Sequence, residues 1–589
     1  MRRINRRPRT NHGRRGNPLG SLLLAPLIAG LSLSQASAQQ NSAPAAPAPK
    51  FRVAPPLAQA PASLVDPTRV LVTLKTGENR ESLRQEATRR QLESSDGAMT
   101  AVIAAIEAAS TGDDRSLVLD LPSPDREQDG RPVEPGVPAN PDDFTASLSP
   151  QAARLVGALR QMPQVEAVEP NRLFFANQGS AADSINAILG VGPPAQTNSL
   201  RPAASSKRPD WAVTSPGQRQ GPVAVTPPKL SDDPFAVFQW HLSNYAPQAS
   251  ASGLPGGTGF LSFRATRRQT NAVAPIVAIV DTGLIPSHED LATSRIVPGY
   301  DFISFPTVAN DGDGRDGNPT DVGNGSPAGL CGTGSVAVEN SWHGSHVAGI
   351  AGAVESDNRI GISLPAIPVR IMPLRVIGRC GGLESDIIDA MRWAAGLSVA
   401  GVPGNPNPAK VINLSLGGAG PCSTAYQTAV DAVSATGAII VVAAGNSGED
   451  ARQFTPASCT GVITVAASDT RGFITPYSNF GPRIDLLAPG GDTARDDDGN
   501  GLADGILSLV SGDYELKQGT SMAAPLVAAA VAALVADRPD MTVEEVRRVL
   551  AASALPRSIT ECPKGCGAGL LQIAPSAGIA ASSIARSSP

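Results

Sequence analysis

The 589-residue chain has no basic stripe with interleaved aromatics; aromatics make up 4% of it and the formal net charge is only −5. That balance argues against nucleic acid as a partner. No internal repeat is present, which sets aside solenoids and propellers. Cysteine is scarce, confined to Cys331, Cys380, Cys422, Cys459, Cys562 and Cys566. None of these forms the paired CxxC clusters with histidines that zinc requires, whereas an even number in an exported chain reads as disulfides. No hydrophobic run reads as a membrane span. One near the N-terminus, from Leu19 to Leu33, is interrupted by Ser21, Pro26 and Gly30 and falls short of the ~20 residues of a membrane span.

What is present divides the chain. Arg2, Arg3, Arg6, Arg7, Arg9, Arg14 and Arg15 precede that run, and Ala36-Ser37-Ala38 follows it. This reads as an export signal over residues 1–38, with cleavage expected before Gln39. A membrane anchor is the weaker alternative, and Arg14-Arg15 leaves a twin-arginine route open beside the general one. With no second span, the mature protein is expected to be released and secreted, the periplasm being the alternative compartment. Residues 39–66 are rich in Ala, Pro and Gln and are expected to be disordered. Residues 67–176 alternate strands (Val70–Leu74, Leu117–Leu121, Val165–Asn171 ending at a proline) with helical stretches at 80–110 and Pro150–Met162, the latter capped by Ser149. That order suits a small α+β sandwich of ferredoxin type, an unrelated accessory domain being the alternative. Residues 177–231 form a Pro/Ser/Asn-rich linker open to proteolysis. Residues 232–576 carry four continuous apolar β-branched runs, 276–280, 411–415, 439–444 and 462–466, between helical stretches such as 384–396 and 424–437. Runs of that kind belong to parallel strands covered on both faces, so the fold class is α/β with a doubly wound, mostly parallel sheet. Residues 577–589 are a tail.

Three segments of the α/β region carry chemistry. Val280-Asp281-Thr282-Gly283 puts a carboxylate at the end of a buried strand, where sites collect in open α/β sheets. Ser341-Trp342-His343-Gly344-Ser345-His346 sets a histidine at the start of a small-residue helix. Gly519-Thr520-Ser521-Met522-Ala523 places a serine where a glycine turn enters a long helix. A serine hydroxyl needs a base to take its proton, and a carboxylate holds that base in the right tautomer. A fourth segment, Ala443-Ala444-Gly445-Asn446, ends another strand with an amide that can donate to an oxyanion. Singly, each has a bland reading as a cap or turn. Their conjunction does not, and a lipase-type elbow fails because Ser521 is not in GxSxG and the order here is Asp, His, Ser.

The set DTG, HGSHVAG, SLGG at 415–418, AAGNSG and GTSMAAP, in this order, resembles the subtilisin family of serine peptidases across residues 232–574. The resemblance implies Asp281 as orienter, His343 as general base and acid, Ser521 as nucleophile and Asn446 as oxyanion donor. It implies that Ser415, Leu416, Gly417 and Gly418 pair with an extended protein or peptide substrate, aided by Ala443, Ala444 and Gly445. Ser345 stands where the family more often has threonine. His346 is expected to be structural, and His12, His241 and His288 to be a signal residue and two surface or packing residues. Residues 67–176 resemble, by position, the inhibitory pro-region of this family, which acts as folding chaperone and intramolecular inhibitor in a self-processing precursor. A parallel sheet of high contact order folds slowly enough to need one.

Two acidic clusters suggest structural calcium, with no cofactor in the chemical step. Asp496, Asp498, Asn500, Gly501 and Asp504 follow the first nine positions of a calcium loop, although Leu507 stands where the bidentate glutamate would be. Asp311, Asp313, Asp316 and Asp321 lie among glycines in a second loop; a solvated acidic face is the alternative. Short-range closure together with the resemblance suggests the pairs Cys331–Cys380, Cys422–Cys459 and Cys562–Cys566. A monomer is expected. A catalytically silent fold used for binding, and an inhibitor or adhesion protein acting through residues 67–176, are the competing functions.

Overall fold

The computed structural model describes residues 51–53, 65–93, 97–111, 115–122, 144–176, 231–247, 253–266, 274–331 and 335–573. The expected signal, nearly all of the linker and the tail lie outside these residues.

The apolar runs form strands because each is buried on both faces. Seven parallel strands pair in the order Leu486–Pro489, Ile463–Ser468, Ile439–Ala443, Val411–Leu414, Ile276–Asp281, Arg370–Arg375 and Tyr300–Asp301. Alternate residues of the strand ending at Asp281 face opposite cores. Val277 and Ile279 pack with helices His343–Ala351 and Thr520–Asp537, while Ala278 and Val280 pack with Glu384–Ala394 and Thr424–Ala435. This is the two-sided covering that parallel sheets require. Arg370–Arg375 escapes recognition in the sequence because arginines bound it and Pro373 interrupts it. The proline is tolerated because the outer neighbour, Tyr300–Asp301, pairs only with Leu374 and Arg375.

Thr520–Asp537 is long and apolar enough to cross a membrane, with a mean hydropathy of 1.7 over 18 residues, yet 83% of it is buried. A helix apolar all round is what the centre of a two-layered core demands.

Residues 65–176 form a separate α+β layer. Strands Val165–Ala176, Val65–Leu74 and Ser116–Asp120 pair antiparallel around their own apolar core. Helix Pro150–Arg160 is capped by Ser149, whose hydroxyl accepts from the Ala152 N–H at 3.1 Å. The stretch expected as one helical region holds two helices, Arg80–Glu93 and Gly97–Ala108. The intervening Ser94-Ser95-Asp96 favours caps over helix interiors.

Two expectations are corrected. The strand from Val165 does not stop at Pro170 but runs to Ala176. Pro170 lies opposite a register shift between Asp66 and Val70, so its missing N–H falls at an irregularity of the ladder. The final residues then leave their own sheet and pair with the α/β region. The second correction concerns residues 39–66: Val65 and Asp66 belong to a strand, and Arg52–Val53 pairs in parallel with strand Asp513–Lys517. Phe51 sits edge-on to Phe235 and Phe238 at 5.1 and 5.4 Å between ring centroids. One aromatic supplies the apolar surface that holds residues 51–53 in place.

Candidate active site

Asp281 ends the central strand and His343 begins a helix whose N-cap, Trp342, adopts a left-handed φ of 51°. A bulky residue there is strained, and strain of this kind gathers at functional sites. It is held by what surrounds His343. The imidazole Nδ1 lies 2.7 Å from Asp281 Oδ1, with both side chains fully buried. The same Oδ1 accepts from the Thr282 N–H at 2.8 Å. The Thr282 hydroxyl accepts from the Gly344 N–H at 2.9 Å and donates to Asp321 at 2.7 Å, tying the strand end to the first turn of the histidine helix. The Ser345 hydroxyl accepts from the Ile285 N–H at 2.9 Å, making a second tie. The other ring nitrogen, Nε2, is buried with no hydrogen-bond partner. A buried orphan nitrogen behind an oriented imidazole suits a group that receives a proton.

Ser521 occupies the first turn of Thr520–Asp537, which packs against the histidine helix. Gly519, at φ 148°, makes the turn into it. Pro525 cannot donate to the carbonyl of Ser521 four residues back, so that carbonyl lacks its usual helical partner. The Ser415 hydroxyl supplies one at 3.0 Å, and the Ser521 hydroxyl in turn donates to the Ser415 carbonyl at 3.0 Å. Asn446 Oδ1 accepts from both the N–H and the hydroxyl of Thr520 at 2.9 Å. That fixes which end of the amide is oxygen, leaving Nδ2 as the donor end. Asn479 shapes the turn before it, donating to the Ala444 carbonyl at 2.9 Å and accepting from the Ser447 and Glu449 N–H groups at 3.0 and 3.1 Å. Thr282, Asn479 and Thr520 were not singled out in the sequence. Thr282 and Thr520 flank the acidic residue and the serine directly, and that adjacency was the available signal.

Strand Leu416–Ala419 forms one wall of a cleft and Gly382–Leu383 the other. Between them lies the end of strand Val165–Ala176, antiparallel to both, with Gly417 opposite Phe175, Leu416 opposite Ala176 and Gly382 opposite Phe174. Phe174 is fully buried, 6.0 Å from the Tyr426 ring. Polar residues upstream anchor the strand. Arg172 pairs with Glu384 at 2.8 Å in a buried ion pair, and Asn171 bonds to Ser385. The Glu169 carboxylate accepts the Thr424 and Ala425 N–H groups at a helix N-terminus. Burial raises the Glu169 pKa against those bonds.

The remaining histidines do no visible chemistry. His346 Nε2 meets the Glu515 carbonyl at 2.9 Å, and burial holds its pKa well below the ordinary value. His241 is buried and pushed down to about 3 by burial. His288 packs edge-on to Tyr514. His12 lies outside the described residues. The cysteines pair as Cys331–Cys380, Cys422–Cys459 and Cys562–Cys566.

The two acidic loops behave differently. Asp496, Asp498 and Asp504 place one oxygen each within 4.8 Å of one another. Asn500 Nδ2 donates to Asp498 at 2.8 Å in the same loop. Asp504 Oδ1 is buried without a partner, and burial, with the like charges of Asp498 and Asp497, pushes its pKa up to about 6. An orphaned buried oxygen among crowded carboxylates fits a hard cation. The other loop is a correction: Asp311, Asp313, Asp316 and Asp321 are not gathered. Asp311 pairs with Arg375 at 2.6 Å, Asp316 receives the Asn318 N–H at 2.8 Å, Asp313 is exposed, and Asp321 is taken up by Thr282 and the Gly323 N–H. Sequence reading also passed over Asp290. Its Oδ1 is buried without a partner, and burial plus the charge of Asp233 raises its pKa to about 7. Asp233 and Asp290 come from distant segments, so no local spacing announces them.

Fold and geometry thus define a doubly wound α/β protein in which an aspartate at the end of a parallel strand holds the histidine that begins one helix, and a serine sits in the first turn of a helix packed against it. Residues 273–569 match the model of the subtilase family, and the chain belongs to that family. It is 43% identical over 314 residues to an extracellular protease of Xanthomonas campestris pv. campestris, covering 53% of this chain and 52% of that protein. It is 41% identical over 314 residues to an extracellular basic protease of Dichelobacter nodosus, covering 52% and 48%. The chain therefore spans about half the length of these relatives. A solved protease structure from Pseudoalteromonas arctica PAMC 21717 is 40% identical, covers 58% of this chain and 97% of that one, and superposes with a TM-score of 0.52.

Proposed function

We propose that the chain is the precursor of an exported serine endopeptidase that cleaves peptide bonds in proteins through an acyl-enzyme. The observation that carries this is the buried Asp281–His343 pair, with its partnerless Nε2, on a helix packed against that of Ser521, whose flanking threonine locks Asn446. The Ser521 hydroxyl exchanges the Ser415 carbonyl for His343 Nε2, which takes its proton as Oγ attacks the scissile carbonyl. Asp281 stabilises the resulting imidazolium and keeps Nδ1 protonated. Asn446 Nδ2 and N–H groups at the start of the serine helix receive the oxyanion. His343 then passes its proton to the leaving amine. Water repeats the sequence on the ester, releasing the second product and restoring the serine. Ser415 to Gly418 and Ala443 to Gly445 bind substrate backbone.

Residues 67–176 are the pro-region, a ferredoxin-type inhibitor and folding template whose final strand lies in the cleft as a product would. Maturation is a self-cut between Ala176 and Asp232. The mature domain is secreted and monomeric, and Asp496, Asp498, Asn500 and Asp504 hold a structural calcium ion that takes no part in the reaction. Expression beside a Ser521→Ala variant tests the whole reading. The wild type should mature by a cut between residues 176 and 232 and hydrolyse casein. The variant should stay full length, inactive and unlabelled by a fluorophosphonate, with an unchanged melting temperature. Casein hydrolysis by Ser521→Ala would overturn the assignment.

A further inference from the structure

A strand lying between two others shows opposite faces at alternate residues. Phe174 faces the main core, beside Tyr426. Leu173 and Phe175 face the other way and do not meet solvent alone: they pack with Leu330, Cys331 and Cys380 in a small apolar cluster. The Phe175 ring lies so close to Gly381 that a Cβ built there would sit 3.0 Å from it. The loop carrying Leu330 has little core of its own. Among its described residues Cys331 alone is a buried apolar one, and the loop is closed by a Ser326–Val338 bridge and the Cys331 N–H bond to the Ser335 hydroxyl. Its ties to the cleft wall are the Cys331–Cys380 bond, with Cα atoms 5.4 Å apart, and the Arg379 bond to the Gly325 carbonyl. The disulfide therefore sets Leu330 over the strand and is itself part of the surface that the strand touches.

We propose that Leu330, Gly381 and the Cys331–Cys380 bridge form a substrate subsite for apolar, preferably aromatic, side chains at the positions held here by Phe175 and Leu173. Extended substrates are then gripped on both faces, and the preferred class is polypeptide with three consecutive apolar residues upstream of the cut. The inference rests on the cleft reading above, and the test separates the two. The secreted wild-type enzyme is given an internally quenched peptide of residues 168–182 and the same peptide with Phe175 replaced by Ala or by Asp. Loss of the half-buried ring should lower kcat/KM about tenfold for Ala, and further for Asp. The Cys331→Ser/Cys380→Ser enzyme should still cleave the Ala peptide while its preference for Phe falls towards unity, and Leu330→Ser should move part of the way. Equal rates on the Phe and Ala peptides overturn the subsite, as does an undiminished preference in the double variant. A parent peptide left intact by enzyme that still hydrolyses casein overturns the subsite alone, whereas enzyme that cuts neither overturns the peptidase reading and the subsite with it.

Discussion

Two loops of similar composition meet different fates. Both are rich in aspartate and glycine, and both read as calcium loops. In one, Asp496, Asp498 and Asp504 converge and leave a buried oxygen of Asp504 without a partner. In the other, the protein itself supplies the positive charge: Arg375, buried on the strand beside Asp281, pairs with Asp301 and Asp311, and Asp321 is tied to Thr282. Acidic spacing alone does not make a metal site. What decides is whether the fold brings a cation or donor of its own to the carboxylates.

The comparison can be broken most severely at Arg375. In a Ser521→Ala background, which prevents self-digestion, Arg375→Ala leaves Asp301 buried without its cation. That should cost about 3–5 kcal/mol in urea unfolding. A loss below about 1 kcal/mol would mean that the ion pair does not hold this loop. Calcium should act on the other loop. At a concentration of about 100 times Kd it should stabilise the protein by about 2.7 kcal/mol over a chelated sample, and Asp504→Asn should reduce the difference. An Asp504→Asn protein with the full calcium effect would place the ion elsewhere.

The pH dependence sharpens the same contrast. Asp504 has a folded pKa of about 6, above its ordinary value. In chelator its contribution is fully present below the unfolded pKa and is lost as pH rises through about 6. With saturating calcium the sign reverses, because a protonated carboxylate cannot ligate. Melting temperatures of the Ser521→Ala protein from pH 4 to 7, with calcium and with chelator, should therefore slope in opposite directions, and parallel slopes would refute the site. The smallest effect is expected for Asp313→Asn: its exposed side chain should leave both stability and the calcium response within about 0.5 kcal/mol of the parent.

Much of the site was legible because its chemistry is written in short contiguous segments. Asp281-Thr282-Gly283, the His343 motif, Asn446 and Gly519-Thr520-Ser521 each join a strand or helix end to a reactive side chain, and local patterning places such ends. Thr282 and Thr520 were passed over although adjacent, since a threonine's role depends on which carboxylate or amide comes within reach. Phe51 and the last five residues of the Val165–Ala176 strand were misread for a related reason. Composition called the first disordered and Pro170 ended the second, yet both are held by partners far along the chain, Phe235 and Leu416 among them.

The sequence by itself determined the parallel sheet, the order of the reactive residues and the α+β layer ahead of them, because hydrophobic period and glycine turns act over a few residues. The tertiary structure alone decided which acidic loop keeps a partnerless oxygen, that Asp290 and Asp233 share a buried site, and that Leu173 and Phe175 lie against the Cys331–Cys380 bridge. Burial and pairing of charge depend on groups that only long-range packing brings within a few ångströms, and no local spacing encodes them.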